Sequence, residues 1–245
     1  MTPDQVPLLA LAILVVAFLY SSVGHAGASG YLAVMSLFSL APDVIRPTAL
    51  ALNILVACIG SWQFWRAGHF SWRLFWPFAL LSVPLAFLGG YLNLPAPVFK
   101  VLVGIVLLLS AVRLLFHPAA DEFLREPSRP LAMSAGAGLG LLSGLTGTGG
   151  GIFLTPLLLL LHWAHAKRAA AVSAVFILVN SVAGLAGNLS STRQFPRFAV
   201  VLAVTAVIGG TAGSYLGSCR YPQVVIKRLL AAVLLVAGVK LILTQ

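Results

Sequence analysis

Apolar residues in this chain come in long unbroken runs, without the alternation of a half-buried strand or the one-sided stripe of a soluble amphipathic helix. Eight such runs occupy residues 7–23, 47–65, 74–92, 98–116, 131–145, 169–189, 198–217 and 224–243. A helix crosses the hydrocarbon core of a bilayer with about 20 residues, so each run predicts a membrane-spanning helix. Two shorter runs, 31–40 and 152–163, each follow a glycine-rich break. At about 1.5 Å per residue they reach only part-way across. The breaks read Gly24-His25-Ala26-Gly27-Ala28-Ser29-Gly30 and Gly144-Leu145-Thr146-Gly147-Thr148-Gly149-Gly150-Gly151. The pattern predicts an all-α polytopic membrane protein.

The widest polar connector, residues 118–129, separates a first transmembrane repeat (1–117) from a second (130–245). Each half then holds four long helices and one short helix after a break. Gly24, Gly27 and Gly30 fall on Gly144, Gly147 and Gly150 at an offset of 120, and Gly89-Gly90 falls on Gly209-Gly210 at the same offset. Lys100 and Arg113 correspond to Lys227 and Lys240 at an offset of 127. Interrupted short helices at matching places in two halves are the sequence signature of a transporter binding site.

Composition supports the membrane reading and charge orients it. Hydrophobic residues make up 60% of the chain and charged residues 8%, which excludes an ordinary soluble globule. The net charge of +10 sits in the gaps between runs and forms no basic stripe with interleaved aromatics, so nucleic acid is not an expected partner. If the short helices cross, one side receives Arg66, Arg73, Arg113, Arg125, Arg129, Lys167, Arg168, Arg220, Lys227 and Arg228. The other receives Arg46, Lys100, Arg193, Arg197 and Lys240, a split of ten to five. If they re-enter instead, the split is eight to seven, so the positive-inside rule favours ten segments with both termini outside. Five crossings per half also turn the second repeat upside down. Residues 1–5 carry no positive region, which predicts a retained first helix. Cys58 and Cys219 are too few for a disulfide framework. Trp62, Trp65, Trp72, Trp76 and Trp163 read as interface anchors, and Pro77, Pro84 and Pro156 as helix kinks.

Each break exposes N-terminal N–H groups at membrane depth, where the helix dipole is positive, and that geometry favours an anion. Hydroxyls at Ser21, Ser22, Ser29, Thr146 and Thr148 add donors. Asp4, Asp43, Asp121, Glu122 and Glu126 all fall at run ends or in connectors, so the mid-span acids of cation pathways are missing. His25 lies inside the first break and is a candidate proton partner. Its bland alternative is a neutral histidine in a packed turn. His69, His117, His162 and His165 fall at the interfaces with no metal-ligand spacing, and no metal or cofactor is expected. Among the mid-run amides Asn53, Gln63, Asn180 and Asn188, those following the short helices, Asn53 and Asn180, are the site candidates. Helix-to-helix bonding is the alternative for all four. Gly136/Gly140/Gly144 and Gly209/Gly213/Gly217 have the spacing of close helix packing. The candidate substrate-binding set is Ser21, Ser22, Gly24, His25, Gly27, Ser29, Gly30, Asn53, Thr146, Gly147, Thr148, Gly149, Gly150 and Asn180.

The two breaks, the second continuing through Ile152-Phe153-Leu154-Thr155-Pro156 and followed by Lys167-Arg168, together resemble the sulfite exporter TauE/SafE family of bacterial membrane transporters. The resemblance covers nearly the whole chain. It implies a multi-pass protein of the cell inner membrane that exports a small sulfur-containing anion, such as sulfite or an organosulfonate. The expected function is therefore secondary transport of a small anion by alternating access, with that anion and the lipid bilayer as partners and a homo-oligomer left open. Two alternatives stand beside it. Gly27-Ala28-Ser29-Gly30 matches the Gly-x-Ser-Gly pattern of a serine nucleophile, as in an intramembrane serine protease using Ser29, which needs a histidine within reach; a non-transporting membrane scaffold subunit would use the breaks for packing alone. The second break lacks the Lys-Ser/Thr ending of a phosphate-binding loop.

Overall fold

The computed structural model describes residues 5–38, 40, 42–92, 108, 112, 124–192 and 197–222, with isolated positions between 224 and 239. The runs at 98–116 and 224–243 fall almost wholly outside these. The described elements are α1 (Gln5–Ser22), α2 (Ala28–Leu37), α3 (Pro42–Arg66), α4 (Trp72–Tyr91), α5 (Arg129–Thr146), α6 (Gly151–Leu160), α7 (Ala166–Thr192) and α8 (Arg197–Tyr215), the last continued by a π-helical turn at Leu216–Arg220. No strand occurs among the described residues.

Five of these elements are long and apolar enough to span a membrane: α1, α3, α4, α7 and α8 with its π turn. Helix α5 has the length of α1 but trades large apolar side chains for glycine. Helix α3 starts at Pro42, five residues before its apolar run. Proline suits a first helical position because its missing N–H is unbonded there anyway, and Pro47 then removes a bond only near the helix start.

Two glycine ladders set the packing. Gly136, Gly140 and Gly144 of α5 lie against the carbonyls of Phe78, Ser82 and Ala86 of α4, so closely that a Cβ at any of them would collide with that backbone. Gly209, Gly213 and Gly217 lie in the same way on Leu14, Phe18 and Ser22 of α1. Both ladders climb four residues at a time on both helices, so α4 and α5 run in the same direction, as do α1 and α8. Without a hydrophobic drive between helices in lipid, such close backbone approach supplies the contact energy.

The remaining contacts orient every element. Val56 and Gly60 of α3 meet Gly210 and Ser214, making α3 parallel to α8. Asn53 meets Ser181 while Phe64 packs on Ala170 and Ala171, making α3 antiparallel to α7. Phe75 and Phe78 cluster with Ala169, Val172 and Phe176, and Ser82 bonds Asn180, so α7 follows α4. Helices α1 and α5 therefore run in opposite directions. Helix α2 returns along α1, with Ser29 at Tyr20 and Gly30 at Val16. Helix α6 returns along α7, with Gly151 at Ile177 and Thr155 at Ser173.

Each break together with its short helix thus makes one return passage, and the short helices do not double back to the end they left. One end of the assembly carries Arg66, Arg73, Arg125, Arg129, Lys167, Arg168 and Arg220; the opposite end has Arg46 and Arg197 among the described residues. That asymmetry matches the crossing arrangement expected from the loops.

The ladders generate a contrast within one helix. Gly140→Ala should lower the unfolding free energy in detergent by about 1–3 kcal/mol, because its methyl group has nowhere to go. Gly138→Ala meets nothing within 4 Å and should be neutral or stabilising by up to about 1 kcal/mol. Thermal or denaturant unfolding of the two variants checks the difference.

Candidate functional site

The first break forms where α1 cannot continue. The His25 N–H bonds back to the Tyr20 carbonyl at 2.9 Å, and Gly24 turns into the left-handed region at φ 79°. A side chain at Gly24 would strike the Ala170 backbone of α7. The Tyr31 hydroxyl donates to the Ala26 carbonyl at 2.6 Å, which ties the far side of the break to the first turn of α2.

The second break is built from three left-handed glycines in quick succession. Gly147 closes α5, its N–H bonded to the Ser143 carbonyl at 2.9 Å; Gly149 follows, and Gly150 at φ 78° caps the start of α6. A Cβ at Gly149 would overlap Asn53 and Ser181, so glycine is required here for approach as well as for conformation.

Asn53 joins the two. Its Oδ1 accepts the Ala28 N–H at 3.0 Å, capping α2, while its Nδ2 donates to the Thr148 carbonyl and to Ser181 Oγ, both at 3.2 Å. This cap explains why α2 begins at Ala28, three residues ahead of its apolar run. A second bridge is the 2.9 Å contact between His25 Nε2 and the Gly151 carbonyl in the first turn of α6. The positive ends of two short helices of opposite direction are thereby held at one buried point.

Polar atoms collect at that point. Among the described residues, Ser21 Oγ and His25 Nδ1 are buried and find no hydrogen-bond partner, and the same holds for Ser143 Oγ beside the second break. Ser21, Gly24 and His25 line a small cavity with Val56, Gly60 and Ala174. Its volume of about 10 Å³ admits roughly one water molecule, and the His25–Gly151 and Asn53–Thr148 contacts close the breaks on each other in this conformation.

Of the other expected residues, Ser29 donates to Tyr20 Oη at 3.2 Å, and Gly30 packs on Val16 of α1. Gly27 is left-handed beneath the Tyr31 ring. Ser22 bonds its own helix at the Leu19 carbonyl, while Thr146 bonds Leu142 and Thr148. Asn180 is not brought to the junction: it accepts from Ser82 on α4 and donates to the Phe176 carbonyl of its own helix. Gln63 is likewise a helix-to-helix tie, to Thr211 and Ser214. His25 Nε2 meets the Gly151 carbonyl, while Ser29 Oγ, the nucleophile of the protease alternative, donates to Tyr20. His69, at the end rich in cations, faces the Ser218 carbonyl; partial burial, helped by Lys167, holds its pKa below the ordinary histidine value.

Sequence reasoning missed Arg46. Counted as a loop cation, it lies in α3 and reaches the carbonyls of Gly89 (2.8 Å), Gly90 and Gly144, with Leu92 at 3.4 Å. It ties the last turns of α4 and α5 together immediately beside Gly147. Lys167, at the start of α7, reaches the Ser218 carbonyl at the end of α8 in the corresponding way. The signal was the placement of Arg46 and of Lys167-Arg168 just after the two short helices. Tyr20, Tyr31 and Ser181 were missed as well; the first two are tyrosines flanking a break within an otherwise apolar stretch.

Comparison with known proteins agrees with this architecture. Residues 9–241 match the family described as sulfite exporter TauE/SafE. The chain is 39% identical over 239 residues to the probable membrane transporter protein y4hK of Sinorhizobium fredii, covering 96% of this chain and 97% of that one. It is 26% identical over 251 residues to the probable membrane transporter protein YjnA of Bacillus subtilis, covering 94% and 96%. No solved structure matches the chain significantly. With spans that recur along its length and a family match reaching nearly from end to end, this chain is a multi-pass membrane transporter belonging to the sulfite exporter TauE/SafE family.

Proposed function

We propose that the protein is a secondary carrier that exports a small sulfur oxyanion or organosulfonate, sulfite being the simplest, by alternating access. The observation that carries this reading is the junction itself. Two short helices of opposite direction start at one buried point, where their first-turn N–H groups and positive dipole ends favour a negative ligand. Beside it, Ser21 and His25 line a small cavity and carry polar atoms with no hydrogen-bond partner among the described residues. No Asp or Glu lies in the described spans apart from Asp43 in the first turn of α3, so nothing at the junction competes with an anion.

The opposed directions of α1 and α5 support a pair of inverted repeats, the arrangement in which one half rocks against the other around a fixed site. The end rich in arginine and lysine is then cytoplasmic. Admitting a three-oxygen anion between the breaks requires the His25–Gly151 and Asn53–Thr148 contacts to part, because the small cavity beside His25 has space for about one water molecule. On the opposite side Arg46 holds the ends of α4 and α5 together, so opening outward requires that fork to release carbonyls.

Two measurements follow from this reading. Purified protein titrated with sulfite should gain apparent stability that rises with ligand concentration, as mass action requires, by about 2.7 kcal/mol at a hundredfold excess over Kd. Asn53→Leu should abolish that gain, and an unchanged melting temperature across small oxyanions would move the site elsewhere. In proteoliposomes, sulfite flux per folded molecule should fall about tenfold or more in Asn53→Leu, whose lost capping and bridging bonds are worth about 1 kcal/mol or more each. Thr211→Ala, whose hydroxyl bonds only the Val207 carbonyl of its own helix on an exposed face, should keep flux within about twofold.

A further inference from the structure

At the end rich in cations, the starts of α4, α5 and α7 enclose a second cavity of about 130 Å³, separate from the junction. Arg73, Arg129 and Arg168 line it, with Glu126 as the carboxylate in its wall. Glu126 is committed to Arg73 at 2.7 Å, so among the described lining residues Arg129 and Arg168 carry the excess charge. Arg129 lies over the Trp76 ring at 5.7 Å, a cation–π contact that holds its guanidinium at the cavity wall. The opposite wall is Trp163, and the N–H of Arg125 on the carbonyl of His162 at 2.9 Å holds the connector against the turn after α6.

The cavity opens where the spans end, and an apolar track leaves it. Arg73, Trp76, Leu80, Pro84 and Phe87 follow one another on α4 at intervals of three and four residues, with Leu88 beside the last. Leu80, Phe87 and Leu88 are each more than 40% exposed. Leu131, in the first turns of α5, is also exposed at this end. A polar anionic group placed between the arginines would therefore have hydrocarbon directly above it along α4. That combination fits a tethered anion better than a free one.

We propose that this cavity binds the phosphate headgroup of an anionic phospholipid, with its acyl chains lying along the exposed face of α4. Arg129 and Arg168 supply the charge, and Trp76 and Trp163 sit at the headgroup level. The site is independent of the transported anion and of the junction between the breaks.

Native mass spectrometry of the full chain, released from detergent with phosphatidylglycerol and phosphatidylcholine of the same acyl chains, tests this. The wild type should retain phosphatidylglycerol about 25-fold more than phosphatidylcholine, since each of the two arginines contributes roughly a fivefold preference. Arg129→Gln/Arg168→Gln should bring the ratio to within about twofold, while Arg220→Gln, at the same end but outside the cavity, should keep it. Should the double variant fold poorly, Arg168→Gln alone carries the test, with a loss of about fivefold. Equal retention of the two lipids by the wild type would overturn the proposal, as would a full preference persisting in the arginine variants. Displacement of the lipid by an equal concentration of inorganic phosphate would also overturn it, since that would identify a site for free anions.

Discussion

Backbone that leaves the helical path inside a bilayer must find its hydrogen bonds within the protein, since hydrocarbon offers none. Everything at the centre of this molecule answers to that requirement. The breaks after α1 and α5 free several N–H and carbonyl groups at membrane depth, and side chains from other elements take them up. Asn53 serves a donor in one break and an acceptor in the other, His25 reaches from the first break into the first turn of α6, and Tyr31 closes over Ala26. These bonds make the two interruptions a single structure. The same arrangement concentrates positive dipole ends in a place where any ligand must be negative or bring its own acceptors.

Close helix packing holds that centre in place. The ladders Gly136/Gly140/Gly144 and Gly209/Gly213/Gly217 bring α5 onto α4 and α8 onto α1 with backbone touching backbone. Each pair joins an element from one part of the chain to an element from the other, so the halves interlock and do not merely sit side by side. Because the paired helices are parallel, the starts of α4, α5 and α7 share one end, and the arginines at their first turns share it too. One geometric fact therefore produces both the charge asymmetry between the two ends and the arginine-lined cavity at one of them.

Much of this was legible beforehand. Eight long apolar runs have no stable home in water, and the six that fall among the described residues became helices within a few residues of their expected limits. Glycine repeating every four residues foretold the ladders, because that spacing keeps small residues on one helix face. The breaks were visible as glycines with no apolar periodicity. Helix limits shifted where tertiary contacts supplied a cap: α2 starts early because Asn53 lies on another helix, a relation no local pattern records.

Composition and periodicity, then, determined that this chain lives in a membrane and where its helices break, since each of these depends on residues near one another in sequence. Partnership was decided only in three dimensions. Asn53 and Asn180 look alike in sequence, each following a short helix, yet one joins the breaks and the other ties α7 to α4. Arg46 reads as a loop cation until the ends of α4 and α5 are folded over it. Which carbonyl lies within hydrogen-bond reach depends on how distant helices cross, and that is set by the packed glycine faces jointly and by no single segment.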